Sequence, residues 1–366
     1  MKLVLAAPIY PPEIGGPATY AKALFEALPT QGIEVVLVKF SDARHFPKVV
    51  RHIVFGWRVF RALSRADMAI AFDPVSSGLS VMIASVFAQK PYVLKVGGDY
   101  AWEQGRNRFG TTASLDEFVK TSEQPLVVKL FRAIQYRVAA SATRVIAPSE
   151  YLKKIVIAWG IAPEKISVIY NAIPYESTGM VPKSVESLAR PLVVSVGRLV
   201  PWKHMDAVID ACAKSAANVS LAIVGDGPLH SALEKKAANE LSNRAVLTGK
   251  LSHEETLAVM HSADIFVLNS SYEGLSHLLI EALMLGVAII ATDVGGNPEV
   301  IHHAENGLLV ASGDTKALSA AIDRLAKDAA LRAHLGANAC NSSNRFSKEA
   351  MISATATLLG TASKTS

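Results

Sequence analysis

Ser271-Tyr272-Glu273-Gly274-Leu275-Ser276-His277-Leu278-Leu279-Ile280-Glu281-Ala282-Leu283 lies between two short apolar runs, Ile265-Phe266-Val267-Leu268 and Ala288-Ile289-Ile290. Apolar run, Gly/Ser-bearing loop, apolar-rich helical segment and apolar run again read as one β-α-β step of a parallel sheet buried on both faces. The spacing predicts Glu273 in the loop and Glu281 about two turns into the helix, so that both carboxylates can face a ligand cleft. Backbone N–H groups near Ser276, His277 and Leu278 then form a helix N-terminus suited to an anion. A phosphate held there would have a carboxylate on either side for hydroxyl groups.

The same step recurs in both directions. Upstream in the same half come Leu192-Val193-Val194-Ser195-Val196, Leu221-Ala222-Ile223-Val224 and Ala245-Val246-Leu247, which makes five parallel strands separated by helical segments. The first half opens on Lys2-Leu3-Val4-Leu5-Ala6-Ala7, then a Pro/Gly loop with Gly15-Gly16, then Tyr20, Leu24, Ala27 and Leu28 at helical spacing. Further strands are expected at 33–38, 68–72, 92–96 and 144–147. Between Asn171 and Pro191 the chain turns polar and breaker-rich, with Pro174, Gly179, Pro182 and Pro191, as an interdomain linker does. The expected organisation is a Rossmann-like domain over 1–173, a linker over 174–190, a second Rossmann-like domain over 191–345, and a C-terminal helix and tail over 346–366. Ligands are expected at the carboxyl ends of the strands, in a cleft between the two domains.

With 366 residues, 50% hydrophobic and 19% charged, the chain can bury a large core and lies outside the range of disordered proteins. Two cysteines, Cys212 and Cys340, with no CxxC, indicate neither a disulfide scaffold nor a structural zinc site. The opening apolar run meets Pro8 and Pro11-Pro12 too soon for a signal segment, and Leu79 to Ala88 is too short to span a bilayer. A cytoplasmic place follows as the expectation. Charge is uneven: residues 1–180 hold 21 Lys+Arg against 14 Asp+Glu, and the rest 16 against 18, that is +7 and −2. This points to an anionic ligand or surface on the first half, and the lack of a Lys/Arg block argues against nucleic acid.

The segment 271–283 resembles the E-x7-E signature of the retaining glycosyltransferases of family 4, whose GT-B fold is an α/β pair of Rossmann-like domains facing across a cleft. Gly197-Arg198-Leu199-Val200-Pro201-Trp202-Lys203-His204, Gly225-Asp226-Gly227-Pro228, Gly249-Lys250-Leu251 and 291–299 fall in the order and spacing of that family. The resemblance is strong over roughly 191–312 and weaker from Gly15-Gly16 onward. It implies that Glu281 bonds the ribose hydroxyls of a nucleotide-sugar donor. Glu273, catalytic as well as donor-binding, would contact sugar hydroxyls, within a donor loop completed by Gly274, Leu275, Ser276, His277 and Leu278. Arg198 and Lys203 would clamp the diphosphate, where negative charge grows as the bond breaks. Lys250 and Leu251 would meet the base largely through backbone. Without a ligand, the same residues are helix-end glutamates and surface cations, and Asp226 is as well explained by an Asp-Gly-Pro turn.

In the first domain, the resemblance puts Gly15 and Gly16 against the donor phosphate, where a residue without Cβ is needed. Many relatives carry a histidine against the reacting sugar where this chain has Gly98-Asp99. Asp99 is therefore the catalytic candidate and Glu103 the second. Asn171, with Ala172 in place of the family's glycine, reads as a structural hinge residue. No DxD motif sits in a strand context and the cationic clamp supplies fixed charge, so no metal and no cofactor beyond a UDP- or GDP-linked co-substrate are expected. The family's front-face attack, with the departing phosphate helping to take the acceptor proton, would retain anomeric configuration.

Residues 44–65 carry Arg44, Lys48, Arg51, Arg58, Arg61 and Arg65 with no carboxylate, interleaved with apolar residues. They can form a basic amphipathic helix lying on anionic lipid, or an ordinary sheet-covering helix with solvated arginines. Together with the +7 half, this stretch favours a lipid-linked, phosphorylated or growing surface-polysaccharide acceptor met on the inner face of the plasma membrane. Joined to the resemblance, the expectation is a metal-independent hexosyltransferase acting on a glycan or lipid-linked acceptor in cell-envelope or exopolysaccharide assembly. A nucleotide-sugar epimerase and a non-catalytic nucleotide-sugar-binding protein remain the alternatives. An NAD oxidoreductase does not fit, because no G-x-G-x-x-G follows the first strand.

Overall fold

The computed structural model describes residues 1–13, 15–173 and 179–363, and the side chains of all of these except 48 and 49. The chain divides into two units, Met1–Ala172 with Ser347–Ser366, and Ile173–Phe346.

Unit 1 holds a six-stranded parallel sheet of β1 (Lys2–Ala7), β2 (Glu34–Lys39), β3 (Met68–Ala71), β4 (Tyr92–Lys95), β5 (Arg144–Ala147) and β6 (Ile166–Val168), in the order β2-β1-β3-β4-β5-β6. Unit 2 repeats the plan with β7 (Leu192–Val196), β8 (Ser220–Val224), β9 (Ala245–Gly249), β10 (Ile265–Leu268), β11 (Ala288–Thr292) and β12 (Leu308–Val310), in the order β12-β11-β10-β7-β8-β9. These sheets and their flanking helices are the two Rossmann-like halves of a GT-B fold. Helices on both faces explain why β3, β4, β7, β8, β10 and β11 are buried along their whole length and read as unbroken apolar runs. β6 and β12, three residues each, are additions to the strands expected from sequence.

Each sheet has one point where sequence order reverses. In unit 1 it lies between β1 and β3. In unit 2 it lies between β7 and β10, which run side by side with Val194 opposite Phe266. Loops leaving the carboxyl ends on either side of such a point diverge and open a crevice.

The C-terminal helix Lys348–Ala362 belongs to unit 1. Its Met351, Ile352, Leu358 and Leu359 enter the core with Leu24 and Leu28, and Thr355 Oγ1 lies 3.1 Å from Tyr20 Oη. Of the linker expected over 174–190, residues 174–178 lie outside the described residues, while 179–190 go with unit 2 and bury Val185. Residues 364–366 of the expected tail also lie outside. Among the described residues, no helix is long and apolar enough to cross a membrane.

Candidate active site

The unit 2 switch point brings two distant loops together. After β7, the segment Pro201–Lys203 makes a single tight turn, and Ser271 N–H, in the loop after β10, donates to the Trp202 carbonyl at 2.8 Å. Lys203 Nζ then lies 2.5 Å from Glu273 Oε1, and Ser270 Oγ donates to the same oxygen at 2.7 Å. The two charged side chains are 16% and 14% exposed, so the pair is shielded yet reachable. A third loop fixes Glu273 from behind. Gly295, after β11, has φ +54, and a Cβ there would fall 2.0 Å from the Glu273 carbonyl oxygen, so only glycine allows this approach. The N–H of Gly296 donates to that carbonyl at 2.9 Å.

Glu281 sits on the helix His277–Leu285, which Ser276 caps by accepting from Leu279 N–H at 3.4 Å. Because the helix begins at His277, Glu281 is a little over one turn in rather than the two turns expected from spacing. It is 7% exposed, and burial pushes its carboxyl up to about 7. His253 Nε2 stands 3.9 Å from Oε1, outside hydrogen-bond reach. A buried carboxyl left this way costs stability and has spare capacity for hydroxyl donors.

Arg198, in the loop after β7, and Lys250, after β9, are exposed and have no ion-pair partner among the described residues. Leu251, Gly274, Leu275, His277 and Leu278 are half-buried, and Ser276 is buried as the cap. Asp226 follows the turn alternative: its Oδ1 accepts from Gly227 N–H at 2.7 Å. Unit 2 thus gathers cations and two carboxyl groups, one ion-paired and one buried, at the carboxyl ends of parallel strands. Such a set can hold an anion on one side and hydroxyl groups on the other. Ser270, Gly295 and Gly296 take part without having been assigned roles from sequence. The cue to the glycines was a Gly-Gly pair directly after a strand.

Unit 1 supplies a correction. Asp99 is fully buried and caps the helix Tyr100–Arg108, accepting from Trp102 N–H at 2.9 Å and from the Trp159 indole N–H at 3.1 Å. Desolvation raises its pKa, opposed by hydrogen bonds from Trp102, Gln135 and Trp159 and by the charge of Arg132. With both oxygens engaged and no exposed surface, Asp99 is a structural cap and presents nothing to a sugar. Glu103, one turn later, reaches the surface; desolvation and the charges of Asp99 and Asp73 push its carboxyl up to about 7. Gly15 caps the helix Gly16–Ala27, its carbonyl accepting from Ala18 and Thr19 N–H groups. A Cβ on Gly15 would meet Ile9 Cδ1 at 2.9 Å, so packing within unit 1 is already a reason for glycine. Asn171 precedes Ala172, whose N–H points at Met351 Sδ at 3.2 Å, at the edge of unit 1.

Residues 180–342 match the family described as glycosyl transferases group 1, and residues 14–177 match Glycosyltransferase Family 4. The chain belongs to this glycosyltransferase family. It is 27% identical over 299 residues to the uncharacterized glycosyltransferase MJ1069 of Methanocaldococcus jannaschii, covering 78% of this chain and 73% of that protein. It is 32% identical over 182 residues to the amylovoran biosynthesis glycosyltransferase AmsK of Erwinia amylovora, less than half of either protein (47% and 44%). Among solved structures, Anabaena Alr3699/HepE in complex with UDP-glucose superposes with a TM-score of 0.75 at 20% identity, covering 99% of this chain and all of that one. As a group 1 glycosyltransferase, the chain has Arg198, Lys203, Glu273 and Glu281 within the matched C-terminal region and Asp99 within the N-terminal one.

Proposed function

We propose that the protein is a retaining hexosyltransferase that takes its sugar from a UDP- or GDP-linked donor without a metal or other cofactor. The observation that carries this is the switch-point pairing of Lys203 with Glu273, with Arg198 in the same loop as Lys203 and without an ion-pair partner among the described residues, and with the buried, protonatable Glu281 on the following helix. In this reading the diphosphate draws Lys203 away from Glu273 and is held between Lys203 and Arg198. Freed Glu273 accepts from hydroxyls of the transferred sugar, and Glu281 satisfies its buried oxygens on the ribose. The fixed cations stabilise the departing phosphate, which takes up the acceptor's proton. Asp99 has no part in these steps. Relatedness to an amylovoran biosynthesis enzyme supports a glycan or lipid-linked acceptor of envelope or exopolysaccharide synthesis, and a fold shared with a protein seen with UDP-glucose supports a nucleotide-sugar donor. The acceptor is in this reading met at the cytoplasmic face of the membrane.

A thermal-shift panel of UDP-glucose, UDP-N-acetylglucosamine, GDP-mannose, ADP-glucose and NAD, with and without EDTA, tests it. Ligand at 100 times its dissociation constant adds about 2.7 kcal/mol. One nucleotide family should raise the melting midpoint, EDTA should leave the shift intact, and Arg198→Ala should shrink it without moving the unliganded midpoint. A shift with NAD alone, or with none of the panel, overturns the donor assignment; an EDTA-sensitive shift overturns metal independence.

A further inference from the structure

Unit 1 carries an open groove of about 840 Å³ that the donor chemistry does not use. Three of its walls are the helices Lys48–Leu63, Gly78–Ala88 and Leu126–Ser141, contributing Ile53, Trp57 and Phe60 from the first, Ile83 and Phe87 from the second, and Phe131 from the third; Val75, Ser76 and Tyr100 complete the lining, with Asp73 and Glu103 acting on Tyr100. Trp57 is 55% exposed and Phe87 74%, and Leu126 and Leu130 extend the apolar surface along the third helix. A concave apolar site of this volume is large enough for a ligand, and apolar side chains left in water at this density mark a binding face.

Charge says what kind. The three walls together contain seven Lys and Arg residues, Lys48, Arg51, Arg58, Arg61, Lys129, Arg132 and Arg137, and no Asp or Glu. The Arg61 guanidinium lies 4.8 Å from the centre of the Trp57 ring, which places a cation directly on a groove-lining side chain. The occupant must therefore be apolar along its length and negative at its head. We propose that the groove takes the hydrocarbon chain of a phosphate-bearing lipid, with Arg61 meeting the phosphate, and that this lipid is the carrier of the acceptor. The proposal rests on the lipid-linked alternative for the acceptor given above.

Farnesyl phosphate is the probe, with farnesol, inorganic phosphate and phosphatidylglycerol vesicles as comparisons, all on the whole 366-residue chain. Trp102 and Trp159 are buried, Trp202 is half-buried in unit 2 and Trp57 is exposed, so the part of an emission blue shift that Trp57→Phe removes reports on the groove. Farnesyl phosphate below its micelle concentration should give a saturable blue shift. Phe87→Asp should weaken binding at least tenfold, and Arg61→Glu should weaken farnesyl phosphate but not farnesol by a similar factor. Unchanged affinity in Phe87→Asp overturns the proposal. So does vesicle binding without binding of the monomeric lipid, which would make the face a flat membrane contact. Self-association that Phe87→Asp abolishes, with no lipid binding, gives the face to a second copy and also overturns it. A nucleotide-sugar shift measured on the same samples keeps the two ideas apart: its absence with lipid binding intact refutes the donor assignment and leaves the groove standing.

Discussion

Replacing Glu281 by glutamine should stabilise the unliganded protein, by an amount that depends on pH. The carboxyl titrates near 4.5 in an unfolded chain and near 7 in the folded one, because burial disfavours its charged form. Below pH 4.5 both states are protonated. Between 4.5 and 7 the folded state keeps a proton that the unfolded state has released, so stability falls as pH rises. Above 7 the whole cost is present: about 2.5 pH units at ~1.4 kcal/mol each, or roughly 3 kcal/mol. Glutamine has nearly the same shape and no charge to desolvate. At pH 8 the variant should therefore melt higher, by about 6–12 °C for a unit of this size, and at pH 5 the two proteins should nearly coincide. Calorimetry at pH 5 and pH 8 without nucleotide reads both numbers. A gain that is equal at the two values, or absent at pH 8, refutes the idea that Glu281 is held in a desolvated site against its own preference.

Asp99→Ala should act on stability. It strips partners from Trp102 N–H and the Trp159 indole and removes a helix cap, which should cost unit 1 about 2–4 kcal/mol, while turnover at low temperature stays within a few-fold of the parent. An unchanged melting point with a thousandfold loss of kcat would return Asp99 to the chemistry. Lys95, buried with its Nζ on the Ile169 carbonyl at 3.2 Å and over the Tyr20 ring, has its pKa lowered by desolvation to about 7, so stability should rise with pH from about 7 to 10.5 as the unfolded chain gives up the proton the folded one lacks. Lys95→Met should flatten that slope and add about 4 kcal/mol at pH 7 but under about 1 kcal/mol at pH 10, as urea titrations at the two values would show.

How much could be read from sequence depended on whether the cause was local. A strand buried on both faces announces itself as an apolar run, and ten such runs lie where the strands formed. β6 and β12 escaped because three residues carry no period. The helix Lys348–Ala362 was legible as a helix, but its membership of unit 1 was not. What holds it is a pairing such as Thr355 with Tyr20, 335 residues apart, and that pairing exists only once the chain has returned. The donor residues were legible as types and spacings through a family resemblance, yet not as a geometry. Lys203 and Glu273 are 70 residues apart, and β7 lying beside β10 is what sets them 2.5 Å from each other. Asp99 went astray for a reason that applies wherever a parallel strand feeds a helix. The carboxyl end of a strand is where ligands bind and also where the next helix needs an N-cap, so an aspartate there has two competing explanations. Deciding between them takes a count of acceptors. Asp99 has both oxygens occupied by Trp102 and Trp159, whereas Glu281 is buried with its carboxyl unspent. Of the two, only the second has a site left for a substrate to fill.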